Sequence, residues 1–270
     1  MKVLLMSNLY YYRMSDGKVE VVDATKGDAR PRDPELDALL KYLSEISETL
    51  ETETDREVTA SLLSTAVTEL CSQIKGLLKW RKLSFIAERL LQDADFDTLA
   101  IFFKSISTDK EILEELITGE HSYFVIRAAL KRYVRLVVET KDAVNNSNVK
   151  KCAKSLKDLT DLYCLDIIRK LRNKYSSLLF RNLIQTHCCI IYDDEKPIGN
   201  DGNPQVEVQA DNIPKSNRKQ FNTIIVALLQ IENQAGKESL SRWSHKYIAL
   251  FRCCIMRESV AVGWCSAVIV

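Results

Sequence analysis

The sequence predicts a mainly α-helical protein, a multi-helix bundle with a short N-terminal β-hairpin and a small β element near the C-terminus. No proline occurs between Pro34 and Pro197, and the 270 residues include only 8 Gly and 5 Pro. A proline inside a helix costs about 3 kcal/mol, so a helical body requires such a stretch. Within it, apolar residues recur at the spacing that places them on one face of a helix.

The first 32 residues are predicted to form a hairpin and a linker. Val3 to Tyr12 and Lys18 to Ala24 are rich in Val, Leu and Tyr, and Ser15 to Gly17 lies between them as a turn signal. Thr25 to Arg32 combines Gly, Pro and mixed charges, which is typical of a linker.

Residues 33–192 are predicted to form the helical body. A proline at position 34 suits the first turn of a helix, where its missing N–H is harmless. Thr54 and Thr108 each precede a Glu by three residues, the pattern of a capping box at a helix start. Apolar periodicity predicts helices at about 34–50, 54–78, 83–91, 96–106, 108–119, 123–144 and 149–184.

Short helices with short connections are predicted to pack antiparallel, as a bundle or as stacked pairs, and no period indicates a repeat protein. After the helices, Cys188 to Tyr192 is a β-type run. Residues 193–216 gather Gly, Pro, Asp and Asn and are predicted to form a loop or a domain boundary. Residues 217–270 are predicted to form two helices and a final strand packed on the body.

The charge is distributed unevenly along the chain. Residues 121–192 carry fourteen Lys or Arg against five Asp or Glu, whereas residues 1–60 carry eight against thirteen. The whole chain has a formal net charge of only +1. Such asymmetry favours a charged partner or head-to-tail association of copies.

Basic side chains of residues 121–192 fall on helix faces opposite the apolar ones. Arg127, Lys131 and Arg135 recur every fourth residue, and lysines repeat the pattern on the next predicted helix. Clustered Lys and Arg attract phosphate backbones or acidic membranes, with an affinity that falls as salt rises. The residues predicted to bind an anionic partner are Arg127, Lys131, Arg132, Arg135, Lys150, Lys151, Lys154 and Lys157.

Two alternatives to an external anion stay open. The basic faces are also explained as solvated surface whose charges pair with acidic residues of the first 120 positions, because surface charge is common in proteins. The same acidic residues in a neighbouring copy would instead give self-association.

No catalytic residue, metal site or cofactor site is predicted. His187, Cys188 and Cys189 have side chains suited to nucleophilic or metal chemistry, but neighbours in an extended run point to opposite faces. Zinc needs four converging ligands at a recognisable spacing, and no Gly-rich phosphate loop occurs. The eight cysteines are interpreted as small core residues in a reducing compartment.

The predicted function is therefore that of a non-enzymatic helical interaction or assembly protein with a basic face. The predicted partner is RNA, a nucleoprotein, an acidic membrane or another protein, and a viral matrix-like or nucleocapsid-like structural protein fits this profile. The alternative is a cellular helical adaptor that binds proteins through grooves between helices, and no small-molecule substrate is predicted. Because the sequence shows neither a signal peptide nor a membrane-spanning run, we expect an intracellular protein, cytoplasmic or nuclear.

Overall fold

The computed structural model describes residues 10–15, 18–23, 34–78, 80–140, 143–165, 167–187 and 189, and eight positions between Pro214 and Ile224. For residues 10–15, 18–23, 77, 78 and 168 only the backbone is described. Most of the described residues are helical, so the prediction of a mainly α protein is confirmed.

Two antiparallel strands precede the helices. Strand β1 (Tyr10–Ser15) pairs with β2 (Lys18–Asp23), with Tyr10 opposite Asp23. The predicted hairpin stays a prediction as a whole, because residues 1–9 and 16–17 lie outside the described residues. The predicted loop up to residue 213, the last helix and the C-terminal strand lie outside them as well.

The helices begin and end as follows: α1 Pro34–Thr52, α2 Arg56–Ser72, a 3-10 helix Ile74–Leu78, α3 Arg81–Asp93, α4 Phe96–Thr108, α5 Lys110–Thr118, α6 Glu120–Glu139, α7 Ser147–Cys164, α8 Ile167–Leu171 and α9 Lys174–His187. Described positions from Lys215 to Ile224 are also helical. Backbone contacts divide the chain into two units, Met1–Ala38 and Leu39–Val270, and the helices from α2 onward belong to the second. No helix of the described ranges is both long and apolar enough to cross a membrane.

The predicted capping boxes are wrong by one residue. Asp55, not Thr54, is the N-cap of α2, and its carboxylate accepts hydrogen bonds from the N–H groups of Glu57 and Val58. Asp109 caps α5 in the same way, and Thr108 is the last residue of α4. An aspartate next to the predicted threonine offers a charged acceptor to the first turn, where the helix dipole favours negative charge.

The helix predicted at 149–184 is divided into α7, α8 and α9. Helix α9 has its own start, because the Asn173 side-chain oxygen accepts from the N–H groups of Tyr175 and Ser176 at 2.9 and 3.0 Å. At the other break, the buried Lys170 Nζ donates to the carbonyl oxygens of Leu162, Tyr163 and Leu165 at 2.5–3.0 Å. The ammonium therefore satisfies carbonyls that the end of α7 leaves without helical partners.

We expect Lys170→Met to lower the free energy of unfolding by about 2 kcal/mol, because the aliphatic stem is kept while buried carbonyls lose charged hydrogen bonds. Urea unfolding measures this change. The control Lys154→Met removes an exposed lysine of α7, and we expect a change below about 0.5 kcal/mol. Equal stability of the two variants would show that the Lys170 hydrogen bonds contribute little.

The helices of the second unit pack in two rows. Helix α4 packs against α2 and α7, and helix α6 packs against α3 and α9. The order long helix, long helix, short helix occurs twice, as α3–α4–α5 and as α6–α7–α8, and the equivalent long helices are neighbours, α3 beside α6 and α4 beside α7. This is the arrangement of stacked helical units. No period is visible along the chain because equivalent helices differ in length, 13 residues in α3 and 20 in α6.

Aromatic side chains join the two rows. Phe96 at the start of α4 meets Tyr133 of α6 edge to face, with the ring centroids 6.2 Å apart. Phe102 and Phe103 of α4 are fully buried, as is Tyr133. The polar arcs of the helices therefore form the outer faces of the rows, and a binding surface would lie on these faces.

Candidate nucleic-acid interface

Two aromatic side chains are exposed on neighbouring helices of one row. Phe85 of α3 is 59% exposed and Phe124 of α6 is 38% exposed, whereas Phe96, Phe102 and Phe103 are buried. Because α3 packs beside α6, the two exposed rings lie on adjacent helices of one row. Burying a phenylalanine is strongly favourable, so two exposed at matching places in a stack suggest a binding surface.

Each exposed ring is followed, one helical turn further along its helix, by a charged residue. Phe85 lies three residues before Glu88, and Phe124 lies three residues before Arg127. Residues three or four apart are neighbours on a helix surface. The candidate face, as we call this surface, consists of Lys82, Phe85, Glu88 and Arg89 of α3 and Phe124, Arg127, Lys131 and Arg135 of α6.

The α6 cations predicted from the sequence differ in their partners. Arg132 Nε donates to the Ala94 carbonyl oxygen at 2.9 Å, and Ala94 is the C-cap of α3. Arg127 and Lys131 lie close to the half-buried Glu88: burial raises the pKa of that carboxyl group, and the two positive charges lower it in part. Arg135 is exposed. Arg132 thus holds two helices together, while the other three belong to the candidate face.

The predicted α7 lysines lie in the other row, and two of the four have acidic partners. Lys151 Nζ is 2.7 Å from a carboxylate oxygen of Asp97 on α4, and this hydrogen bond raises the pKa of the lysine. Lys157 pairs with Asp161 at 2.5 Å on its own helix. Lys150 donates to a backbone carbonyl at 3.3 Å, and Lys154 is exposed. The fold therefore does not bring the eight predicted residues into one row of helices.

His187 is a buried residue at the end of α9. Its Nε2 lies 2.8 Å from Thr160 Oγ1, and the Thr160 hydroxyl donates to the Leu156 carbonyl oxygen. The threonine hydrogen is therefore used, so Nε2–H is the donor to Thr160. Burial lowers the pKa of His187 to about 3, and the ring is neutral at physiological pH.

The cysteines of the described residues are free thiols, two of them buried. Burial raises the pKa of Cys71 and Cys164 to about 11 and raises that of Cys152 further. High pKa values leave little thiolate, the reactive form. Cys189 has a φ of 54°, so the predicted extended run from Cys188 to Tyr192 is wrong at this residue, and the rest of that run lies outside the described residues.

Phe85 and Phe124 were not among the residues predicted from the sequence. Their signal is present there, since both lie on the charged arcs of otherwise amphipathic helices. An aromatic residue on such an arc is common, however, and only the packing of α3 beside α6 brings the two positions together.

Comparison with known proteins finds similarity of fold only. No protein-family profile and no curated protein matches the chain. Among solved structures it is similar to APUM23 with GGAGUUGACGG, at a TM-score of 0.55 and 19% identity over 73% of this chain and 35% of that one.

A second APUM23 structure, with its insert region deleted and with GGAAUUGACGG, gives a TM-score of 0.53 and 18% identity over 80% of this chain and 34% of that one. This chain therefore spans about a third of the length of the structures it matches. At such identities the likeness concerns the arrangement of the helices.

Proposed function

We propose that this chain is a non-enzymatic protein that binds single-stranded RNA on the candidate face. The main observation in favour of this proposal is that two exposed rings, Phe85 and Phe124, lie at matching places on adjacent helices, beside basic residues. The likeness to APUM23, solved with GGAGUUGACGG, supports a helical array as the scaffold. RNA binders built of helical repeats use a few side chains of each repeat for each base.

The exposed rings suit unpaired bases. Every base has a flat π-face, and stacking on an aromatic side chain is worth about 1–3 kcal/mol per base. Bases inside a duplex are already stacked on each other, so single strands and loops benefit most. Phe85 and Phe124 would each receive one base.

The cations of the candidate face suit the phosphates that connect those bases. Lys131 and Arg135 follow Phe124 by seven and eleven residues, close to two and three helical turns, on the same side of α6. Each phosphate contact releases bound counter-ions, so binding weakens as salt rises. Arg132 does not belong to this set, because its Nε already donates to the Ala94 carbonyl oxygen.

The α7 lysines are expected to contribute little to RNA binding. Lys150, Lys151, Lys154 and Lys157 lie in the other row, and two of them are paired with aspartates. An RNA long enough to reach them would gain little from the two lysines whose charges are already neutralised. The likeness to APUM23 gives no support to a viral matrix-like role or to an oligomer.

We expect the triple variant Arg127→Glu, Lys131→Glu, Arg135→Glu to bind single-stranded RNA roughly 10- to 30-fold more weakly at about 0.1 M salt, since phosphate contacts become repulsions. The plot of affinity against salt should also become less steep. Fluorescence anisotropy with labelled RNA over a salt series measures both changes.

The matched control is Lys150→Glu, Lys151→Glu, Lys154→Glu, which makes the same change of charge on α7. We expect it to keep at least half of the wild-type affinity. If the α7 variant loses binding and the α6 variant does not, the RNA surface is the other row. Binding to acidic liposomes that depends on the α6 cations, without any RNA binding, would mean that a membrane is the partner.

A further inference from the structure

The exposed ring of Phe124 lies against a buried ring of its own helix. The ring centroids of Tyr123 and Phe124 are 5.2 Å apart and the rings are inclined at 65°, an edge-to-face contact. Aromatic pairs prefer such inclined arrangements, with centroids about 4.5–7 Å apart. Consecutive residues of a helix point about 100° apart, so this contact requires the Phe124 side chain to lean towards Tyr123.

Tyr123 is in turn held by the neighbouring helix α9, which packs against α6. Its side chain is buried, and its hydroxyl oxygen accepts a hydrogen bond at 3.3 Å from Nδ2 of Asn182, a buried residue of α9. Its ring also meets the ring of Tyr175, near the start of α9, with the centroids 5.9 Å apart. A buried side chain that is held at both its ring and its hydroxyl keeps one rotamer. Tyr123 is therefore a fixed support for the Phe124 ring.

Phe85 on α3 lacks this support at the preceding position. The residue before it is Ser84, whose hydroxyl donates to the Arg81 carbonyl oxygen of the same helix at 2.8 Å. The Phe85 ring is 59% exposed, against 38% for Phe124. The two rings of the candidate face are thus held to different degrees.

We infer that Tyr123 is a positioning residue for RNA binding: it holds the Phe124 ring in the orientation in which a base stacks on it. Its use in RNA binding rests on the proposed function, whereas the fixed orientation of the ring does not. A ring that already has its bound orientation loses less conformational entropy when the base arrives, so the base binds more tightly. Helix α9 thereby contributes to the site through Tyr123.

The variant Tyr123→Leu tests the inference, because leucine fills much of the buried space and removes the ring beside Phe124. We expect the full chain with this substitution to bind labelled GGAGUUGACGG roughly three- to tenfold more weakly than the wild type. In a Phe124→Ala background the same substitution should change the affinity by less than about twofold, since no ring is left to position. Fluorescence anisotropy of the four proteins gives this coupling. An equal loss in both backgrounds would overturn the inference.

Two controls separate positioning from general damage to the fold. Tyr123→Phe keeps the ring contacts and loses only the hydroxyl that Asn182 binds, and we expect an affinity within about twofold of the wild type. Tyr133→Leu makes the same change at another buried tyrosine of α6, so it should lower stability without weakening RNA binding. If Tyr133→Leu weakens RNA binding as much as Tyr123→Leu does, loss of stability explains the effect and the inference is wrong.

NMR of selectively labelled phenylalanine distinguishes this inference from the proposed function. In the absence of RNA we expect the Phe124 side chain to keep one χ1 rotamer in the wild type and to average over several in Tyr123→Leu. The same single rotamer in both proteins would overturn the inference, whatever their RNA affinities. Averaging in the variant alone, combined with no RNA binding by the wild type, would keep the positioning of the ring and refute the proposed function.

Discussion

We expect the double variant Phe85→Ala, Phe124→Ala to bind single-stranded RNA roughly 30- to 1000-fold more weakly than the wild type. Two lost stacking contacts of about 1–2 kcal/mol each give this factor, at 1.4 kcal/mol for each tenfold change in Kd. Both rings are exposed, so their removal should leave the core unchanged. Anisotropy at constant salt measures the affinity, and thermal unfolding checks that stability is kept.

Two controls separate stacking from general loss of apolar surface. Phe85→Trp with Phe124→Trp keeps an aromatic face at each position, and we expect affinity within about threefold of the wild type. Val58→Ala removes an exposed apolar side chain from α2, in the other row, and should leave binding unchanged. The slope of affinity against salt should stay the same in the double alanine variant, because phosphate contacts remain. Wild-type affinity in that variant would refute stacking on these rings.

The second large effect concerns stability at acidic pH. Burial lowers the pKa of His187 from 6.5 to about 3 in the folded protein. Between these values the unfolded chain binds a proton that the folded chain does not, so stability is present above pH 6.5 and falls as the pH is lowered toward 3. At about 1.4 kcal/mol per pH unit, the loss from pH 7 to pH 4.5 is about 3 kcal/mol.

Urea unfolding at several pH values measures this loss. We expect His187→Gln to be less stable than the wild type at pH 7 but to lose about 3 kcal/mol less on acidification, since glutamine keeps a donor for Thr160 and does not titrate. The control His121→Gln, at a half-buried position of α6, should lose stability on acidification as the wild type does. The same pH dependence in wild type and His187→Gln would mean that this imidazole is not the group that titrates.

Much of the helical body is predictable from local pattern. The expected segments 83–91 and 96–106 agree with α3 and α4 to within about two residues, because their apolar side chains recur at helical spacing. Positions of the helix ends are less predictable. Whether Thr54 or Asp55 is the N-cap of α2 depends on small differences in hydrogen bonding, which the sequence pattern does not show.

The breaks between α7, α8 and α9 show the same limit. Their apolar periodicity continues across both breaks, so the sequence alone indicates one helix. Lys170, a residue expected on the surface, is instead buried against the end of α7. A long-range contact of this kind reverses the usual preference of lysine, because three carbonyls supply what water would supply.

By itself the sequence determined that this protein is mainly helical and that residues 121–192 carry the excess of positive charge, since both follow from composition and local spacing. Tertiary structure alone decided which partners the cations of Arg132 and Lys151 have. The partners of Arg132 and Lys151 lie 38 and 54 positions away, at Ala94 and Asp97. Packing of α3 beside α6 likewise decided that two separate phenylalanines share one face. Coulomb interactions and stacking depend on distance in space, which helix packing sets and spacing along the chain does not.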